Sequence, residues 1–182
     1  MWQLPIATRI GWSPTPSPAT GQSSNSSARS ERNSSPSDKE ATIAESLHAQ
    51  LRPLCHVTYG LAAPISVSSG PAGSRMIGEI ISARYEGERL KASLTGRAAA
   101  DWAFVEPSGR VLVDARLTLQ TDDGAIILVT YTGRMNASTA GVYSAMYFET
   151  GDERYEWLTR ILGVAKGTFT GGNLEYEVYE AV

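Results

Sequence analysis

Hydrophobic and polar residues alternate most clearly between Arg110 and Thr121, where every second position is apolar and most positions between them are polar. This period of two predicts a β-strand with one apolar face. Turn residues bound the strand, since Glu106–Gly109 contains the proline and glycine of a β-turn and Asp122–Gly124 ends in the Asp-Gly pair of a tight hairpin. Two neighbouring antiparallel strands are therefore predicted, at 100–105 and 125–132.

The same spacing of short apolar segments and glycine-rich turns continues on both sides of this meander. Further strands are predicted at 54–59, 75–84, 89–94, 142–149, 161–168 and 174–179. This many short strands indicates a sandwich or a closed barrel. We favour the barrel because closure removes exposed strand edges. The predicted fold class is all-β, an antiparallel β-barrel of about eight strands, with one helical turn at 152–158.

The first part of the chain lacks this pattern. Residues 13–38 are rich in serine, proline and asparagine, with almost no large apolar side chain, which predicts disorder. Ser37 and Glu40 have the spacing of a capping box before a helix. We divide the chain into a disordered leader (1–37), a short helix (38–51) and a β-barrel domain (52–182). The composition of the leader leaves organelle targeting open.

Charge and composition narrow the range of partners. A formal net charge of −3 provides no basic surface for a nucleic-acid backbone, and no apolar run is long enough to span a membrane. One cysteine and two histidines exclude an internal disulfide and predict no metal site. The single cysteine also suits a reducing compartment, so we expect a cytoplasmic protein. Neither nucleic acid nor membrane is an expected partner.

Carboxylates and an arginine supply the candidate catalytic chemistry. Asp114 and Arg116 are two residues apart on one strand, so their side chains share a face. If that face lines the barrel interior, Arg116 holds a carbonyl or enolate oxygen while Asp114 or Asp101 transfers a proton. If it faces water, the two residues form an ordinary surface ion pair. Glu149, at a predicted strand end, is a further catalytic candidate.

Aromatic side chains are candidates for binding a flat ligand. Asp101 and Trp102 point to opposite faces of their strand, so at most one of them faces a barrel interior. Aromatic rings combine a large apolar area with a polar tip, although packing alone also explains aromatic residues in strands. The substrate-binding candidates are Trp102, Tyr131, Tyr143, Tyr147 and Trp157.

Six motifs follow one another in order: Ala100–Trp102, Leu112–Arg116, Thr121–Ala125, Tyr131–Gly133, Phe148–Gly151 and Tyr155–Leu158. In this order and spacing, residues 51–182 resemble the family called domain of unknown function 3237. The resemblance implies a calycin-like antiparallel barrel that self-associates and uses no cofactor. It also implies a small hydrophobic metabolite of natural-product biosynthesis as the ligand. Tyr143 and Met146 occupy places where the family commonly has arginine and proline, which suggests a less charged ligand.

The hypothesis that follows is a cofactor-independent isomerase, cyclase or lyase. It would act on a small hydrophobic carbonyl metabolite by acid/base catalysis inside the barrel. Two alternatives stay open, a non-catalytic barrel that binds a small molecule and a structural domain that self-associates. Residues 126–132 are apolar on both faces of their strand, which also predicts a homo-oligomer.

Overall fold

The computed structural model describes residues 48–136, 141–170 and 172–182. The predicted leader and residues 38–47 of the predicted helix lie outside the described residues. Residues 48–50 have no regular secondary structure, and the first strand begins at Leu51. The end of the predicted helix is therefore extended chain, and Leu51 pairs with Ala181 near the C-terminus.

The described residues form ten strands and one 3₁₀-helix. The strands are β1 (Leu51–Leu61), β2 (Ile65–Gly70), β3 (Gly73–Glu86), β4 (Lys91–Leu94), β5 (Ala100–Val105), β6 (Val111–Thr121), β7 (Ile126–Asn136), β8 (Gly141–Glu149), β9 (Leu162–Thr170) and β10 (Asn173–Ala181). The sequence predicts nine of them to within a few residues and misses β2. The predicted helical turn is the 3₁₀-helix Glu153–Arg160.

The sheet closes on itself. Antiparallel pairing leads from β1 through β10, β9, β8 and β7 to β6, and β3 returns to β1. Two short strands, β4 and β5, together occupy one position of the barrel, between β3 and β6. β4 pairs with both of these strands toward one end of the barrel, and β5 pairs with both toward the other end. Counted in this way, the protein is the closed eight-stranded antiparallel barrel that the sequence predicts. Among the described residues, β2 pairs with β3 alone.

The apolar positions of the strands form the inside of the barrel. Along β6 the alternate residues Val111 to Thr121 are buried, whereas Arg116 and Gln120 are exposed. The core also holds four tyrosines from four different strands, Tyr59, Tyr85, Tyr131 and Tyr176. Alternation in the sequence thus separates the inner from the outer face of most strands.

The 3₁₀-helix packs at the end of the barrel where β6 ends and β7 begins. Asp152 caps the helix by accepting a hydrogen bond from the backbone N–H of Arg154 at 3.0 Å. Arg154 also pairs with Asp123 of the β6–β7 turn, with 2.9 Å between Nη1 and Oδ2. Leu158 is fully buried in the core, so the helix packs an apolar side chain against this end of the barrel.

A buried ion cluster joins the first and last strands at the same end. Glu180 of β10 accepts hydrogen bonds from Arg52 of β1 and from Arg89 of the β3–β4 turn. The Arg89 guanidinium lies 4.3 Å from the centre of the Trp157 ring. Burial raises the pKa of Glu180, but the two arginines outweigh that effect and hold the pKa below its usual value.

Candidate functional site

Asp101 of β5 is directed into the barrel. Its backbone pairs with Gly78 of β3 and with Ala115 of β6, and paired residues present their side chains on the same face of a sheet. Ala115 is fully buried, so that face is the inner one. Trp102, the next residue, points outward and is 40% exposed. Of the two neighbours, Asp101 is the one that faces the interior.

The backbone of β6 holds one oxygen of this carboxylate. The Asp101 Oδ1 atom accepts a hydrogen bond from the backbone N–H of Asp114 at 2.9 Å. The bond lies in the stretch of the β5–β6 ladder between the paired residues Asp101 and Phe104. Burial raises the pKa of Asp101 to about 6, although the hydrogen bond from Asp114 opposes the rise and the Asp114 charge adds to it. A carboxyl group with this pKa gains and loses a proton close to neutral pH, as a general acid or base must.

Buried phenols lie near Asp101. The rings of Tyr59 and Tyr131 are stacked at 6.1 Å with 9° between their planes, and Tyr176 meets both rings edge-on. The hydroxyls of Tyr176 and Ser144 lie 3.3 Å apart. Burial raises the pKa of Tyr131 and Tyr176, and the Asp101 charge raises both further. These phenols therefore stay protonated at neutral pH and can donate hydrogen bonds.

The space in front of Gly78, beside Asp101, is unfilled. Gly78 lies on the inner face of β3, and a Cβ atom added there would have no heavy atom within 4 Å. Elsewhere on the inner face glycines are tightly covered, since a Cβ at Gly133 would lie 2.5 Å from Ser144 Oγ and one at Gly167 would lie 2.6 Å from the Tyr176 ring. The interior is packed around the tyrosines and open next to Asp101.

Asp114 and Arg116 lie on the outer face of β6. Arg116 Nη2 and Asp114 Oδ1 are 3.5 Å apart, and the two side chains are 56% and 47% exposed. The condition that this face lines the interior is therefore not met, and the pair is a surface ion pair of small energetic value. Asp114 acts on the interior through its backbone N–H and its charge, both of which reach Asp101.

The other candidates from the sequence are spread over the molecule. Tyr143, Tyr147 and Glu149 lie on the outer face of β8 and are exposed. Trp157 is at the helix-covered end, beneath Arg89. Tyr131 is the aromatic candidate that the structure brings together with Asp101, and the ligand contacts of all five aromatic candidates stay predictions.

Several interior residues were missed by the sequence analysis. Tyr59 follows Val57 at an alternate position of β1, and Tyr176 lies between Leu174 and Val178 in β10. That alternation with apolar residues was a signal that these tyrosines are interior, because the same face of each strand is apolar. Gly78 had no such signal.

Within the described part of the chain, no group of three or more His, Cys, Asp or Glu side chains could hold a metal ion. None of the helices in these same residues is long and apolar enough to cross a membrane.

Comparisons with known proteins agree with this fold. Residues 49–181 match a family described as Protein of unknown function (DUF3237). The comparison with curated proteins gives no match. Among solved structures, the chain is similar to a beta-barrel like protein from Acinetobacter baumannii, with 29% identity, a TM-score of 0.67, and coverage of 74% of this chain and 97% of that one.

Two further solved structures show the same barrel. A protein with unknown function from Clostridium acetobutylicum has 19% identity and a TM-score of 0.68, covering 74% of this chain and 100% of its own. An enzyme from Penicillium herquei has 23% identity and a TM-score of 0.58, covering 74% of this chain and 95% of its own. At these identities the likeness establishes the shared fold.

Proposed function

Since the chain belongs to the DUF3237 family of proteins of unknown function, we propose that its barrel interior is the active site of a cofactor-independent isomerase, cyclase or lyase. The substrate is a small hydrophobic carbonyl metabolite, as in natural-product biosynthesis. The observation that carries the proposal is Asp101, an inward carboxyl with a pKa of about 6 beside the unfilled space at Gly78. The similar barrel of a Penicillium herquei enzyme supports it.

Asp101 serves as both base and acid. At pH 7 the carboxylate form is in excess because the pKa is about 6, so Asp101 can remove a proton from a carbon next to a carbonyl group. The resulting acid returns the proton to another atom of the ligand in an isomerisation, or to a leaving group in an elimination. Oδ1 is engaged by the Asp114 backbone, so we assign the proton transfer to Oδ2.

Protonated phenols stabilise the negative charge that forms on the ligand. When a proton leaves the carbon, charge moves to the carbonyl oxygen, and hydrogen-bond donors already in place lower the barrier. Tyr131 and Tyr176 remain donors because burial and the Asp101 charge raise their pKa. They take the role that the sequence analysis gave to Arg116.

Ring opening of nitrobenzisoxazole tests the proposal. This flat, uncharged compound opens to a coloured phenolate when a base removes one C–H proton, and a desolvated carboxylate is the type of base that it reports. We expect a rate above the buffer background, with a dependence on pH that follows the Asp101 pKa of about 6. Asp101→Asn should lower the rate by at least about 10²-fold, a usual contribution of a general base.

Glu177→Gln is the matched control, because it removes an exposed carboxylate from the outer face of β10. Its rate should equal that of the wild type. A wild-type rate no higher than that of Asp101→Asn would overturn the catalytic role. Binding of the compound without turnover would instead favour the alternative, a barrel that carries a hydrophobic metabolite.

Location and assembly belong to the same proposal. Burial raises the pKa of the free Cys55 thiol to about 12, so the thiol stays protonated and unreactive, as suits the reducing cytoplasm in which we place the protein. Self-association also stays a prediction. One edge of β2 pairs with no strand among the described residues, and Ile65 and Val67 are exposed there; a second copy could add a strand at this edge.

A further inference from the structure

We infer that the ligand of this barrel is uncharged and that it enters at Gly78, toward the end of the barrel whose connections carry almost no charge. The inference deepens the proposed function, because it takes the ligand to reach Asp101. It depends on three observations, namely the charges at the two barrel ends, the absence of buried cations, and the unfilled position of Gly78.

The connections at the two ends of the barrel differ sharply in charge. The less charged end, where β6 begins and β7 ends, has the described connections 62–64, 71–72, 106–110 and Gly172. In sequence these contain two charged residues, Glu106 and Arg110, which pair with each other at 2.8 Å. The opposite connections, 87–90, 122–125 and 150–161, include Glu88, Arg89, Asp122, Asp123, Asp152, Glu153, Arg154, Glu156 and Arg160.

Inside the barrel no cation balances Asp101. Every lysine and arginine of the described residues is at least partly exposed, and the buried ionic residue Glu180 has its own two arginines. An anionic ligand would bring a second negative charge next to Asp101 with little solvent to screen it, which is unfavourable. Carboxylates, sulfonates and phosphates are therefore poor ligands.

A cationic ligand is disfavoured for a different reason. A positive group beside Asp101 would stabilise its carboxylate and lower its pKa. The carboxyl would then lose the property on which the proposed acid/base chemistry depends, a pKa of about 6. An uncharged ligand leaves that pKa high, and its polar atoms can be satisfied by the phenols.

Gly78 is a glycine that neither the backbone nor packing requires. It has no positive φ, and no atom lies where its Cβ would be. Glycine within a strand otherwise weakens the strand, and it often marks a place where a ligand approaches the backbone. Its two same-face neighbours are Met76, which is partly buried, and Ile80, which is buried, and its cross-strand partner is Asp101. The missing side chain thus leaves room directly in front of the candidate acid/base.

Two fluorescent probes test the inference. N-phenylnaphthylamine is uncharged, and anilinonaphthalene sulfonate has the same rings with one added negative charge. We expect the wild type to bind the uncharged probe at least about tenfold more tightly than the sulfonate, a ratio that corresponds to about 1.4 kcal/mol. Asp101→Asn should reduce this preference, because the repelling charge is removed.

Gly78→Val tests the entry. We expect Gly78→Val to weaken binding of the uncharged probe by at least about tenfold, since the branched side chain fills the space beside Asp101. Gly151→Val is the matched control, because its Cβ also meets nothing within 4 Å and it lies between β8 and the 3₁₀-helix. Thermal unfolding checks that both variants are folded, and Gly78→Ala provides a smaller change should the valine variant not fold.

The outcomes separate this inference from the proposed function. Equal affinity for the two probes, or full binding by folded Gly78→Val, would overturn the inference. Selective binding that Gly78→Val abolishes would support it even if Asp101→Asn keeps the full rate of ring opening, a result that removes only the acid/base role. Loss of ring opening in Asp101→Asn, together with equal affinity for both probes, would support the acid/base role and overturn the inference.

Discussion

The protonation of Asp101 has a consequence for stability at the scale of one residue. Its folded pKa of about 6 lies above the ordinary value of 3.8. The folded state therefore holds this proton more tightly than the unfolded state does, and the Asp101 contribution to stability is present below about pH 4 and is lost as the pH rises through 6. Asparagine has no charge to desolvate and can still accept the hydrogen bond from Asp114.

We therefore predict that Asp101→Asn is more stable than the wild type at pH 8, by on the order of 3 kcal/mol, and has no such advantage at pH 4. Urea unfolding at the two pH values measures the difference. A variant that is equally stable or less stable at pH 8 would contradict the burial of a charged carboxylate. Greater stability together with lower turnover is the usual signature of an active-site residue.

The charge of Asp114 tunes the site from outside. It raises the pKa of Asp101, so we predict that Asp114→Asn lowers the apparent pKa of the ring-opening rate. Its stability should change by less than about 0.5 kcal/mol, because the Asp114–Arg116 pair is exposed. Arg116→Gln is the control, since it leaves the Asp114 carboxylate in place. An unchanged pH profile for Asp114→Asn would show that the charge is fully screened.

At the scale of the strand, glycines on the inner face have opposite roles. Gly167 of β9 lies against Tyr176, and an added Cβ would come within 2.6 Å of the ring. We predict that Gly167→Ala destabilises the protein by about 1–3 kcal/mol, because the ring must move in a packed interior. Gly78→Ala should be neutral or stabilising by up to about 1 kcal/mol. Thermal unfolding of the two variants, measured side by side, is the test, and equal losses would mean that Gly78 is packed.

Strand β2 and the predicted helix show where local pattern was insufficient. β2 has the sequence Ile-Ser-Val-Ser-Ser-Gly, which is short and largely exposed, and it is held by pairing with β3. Leu51 is the last residue of the predicted helix 38–51, yet it pairs with Ala181, which is 130 positions away. At Leu51 a pairing between distant strands decided the conformation, which no local pattern could show. β2 is held instead by the hairpin that it forms with the next strand, β3.

At the scale of the whole molecule, Glu180 links the last strand, β10, to the first strand, β1, through its hydrogen bond from Arg52. Its net lowered pKa means that its contribution to stability is present above about pH 4.5 and is lost as the pH falls. We predict that Glu180→Gln is less stable than the wild type at pH 7 by about 1.5–3 kcal/mol, the usual value of hydrogen bonds to a charged group. The difference should shrink on acidification below pH 4.

Glu177→Gln is the matched control on the same strand. Its exposed side chain pairs with His56 at 2.9 Å, so its loss should cost less than about 1 kcal/mol. Urea unfolding at pH 7 and pH 3.5 compares the two variants. Equal effects of the two substitutions would show that the buried cluster does not hold the barrel closed.

The sequence by itself determined the antiparallel strands and most of their boundaries, and it favoured a closed barrel over a sandwich. Alternation and turn residues are local properties, and they act within a few residues of each other. The Asp-Gly turn at 123–124 and the Pro-Gly turn at 107–109 are formed as predicted, with positive φ at Gly124 and Gly109. The inner face of β6 could likewise be read from its apolar residues.

Only the tertiary structure decided which polar residue is inside. Asp101 occupies an inner position that the pattern alone would assign to an apolar residue, and the pairing of Asp101 with Ala115 of β6 is what places it there. The tyrosines near Asp101 come from strands far apart in the chain, and they meet because the ring closes. A site built from such distant strands depends on pairing and closure, which local alternation does not encode.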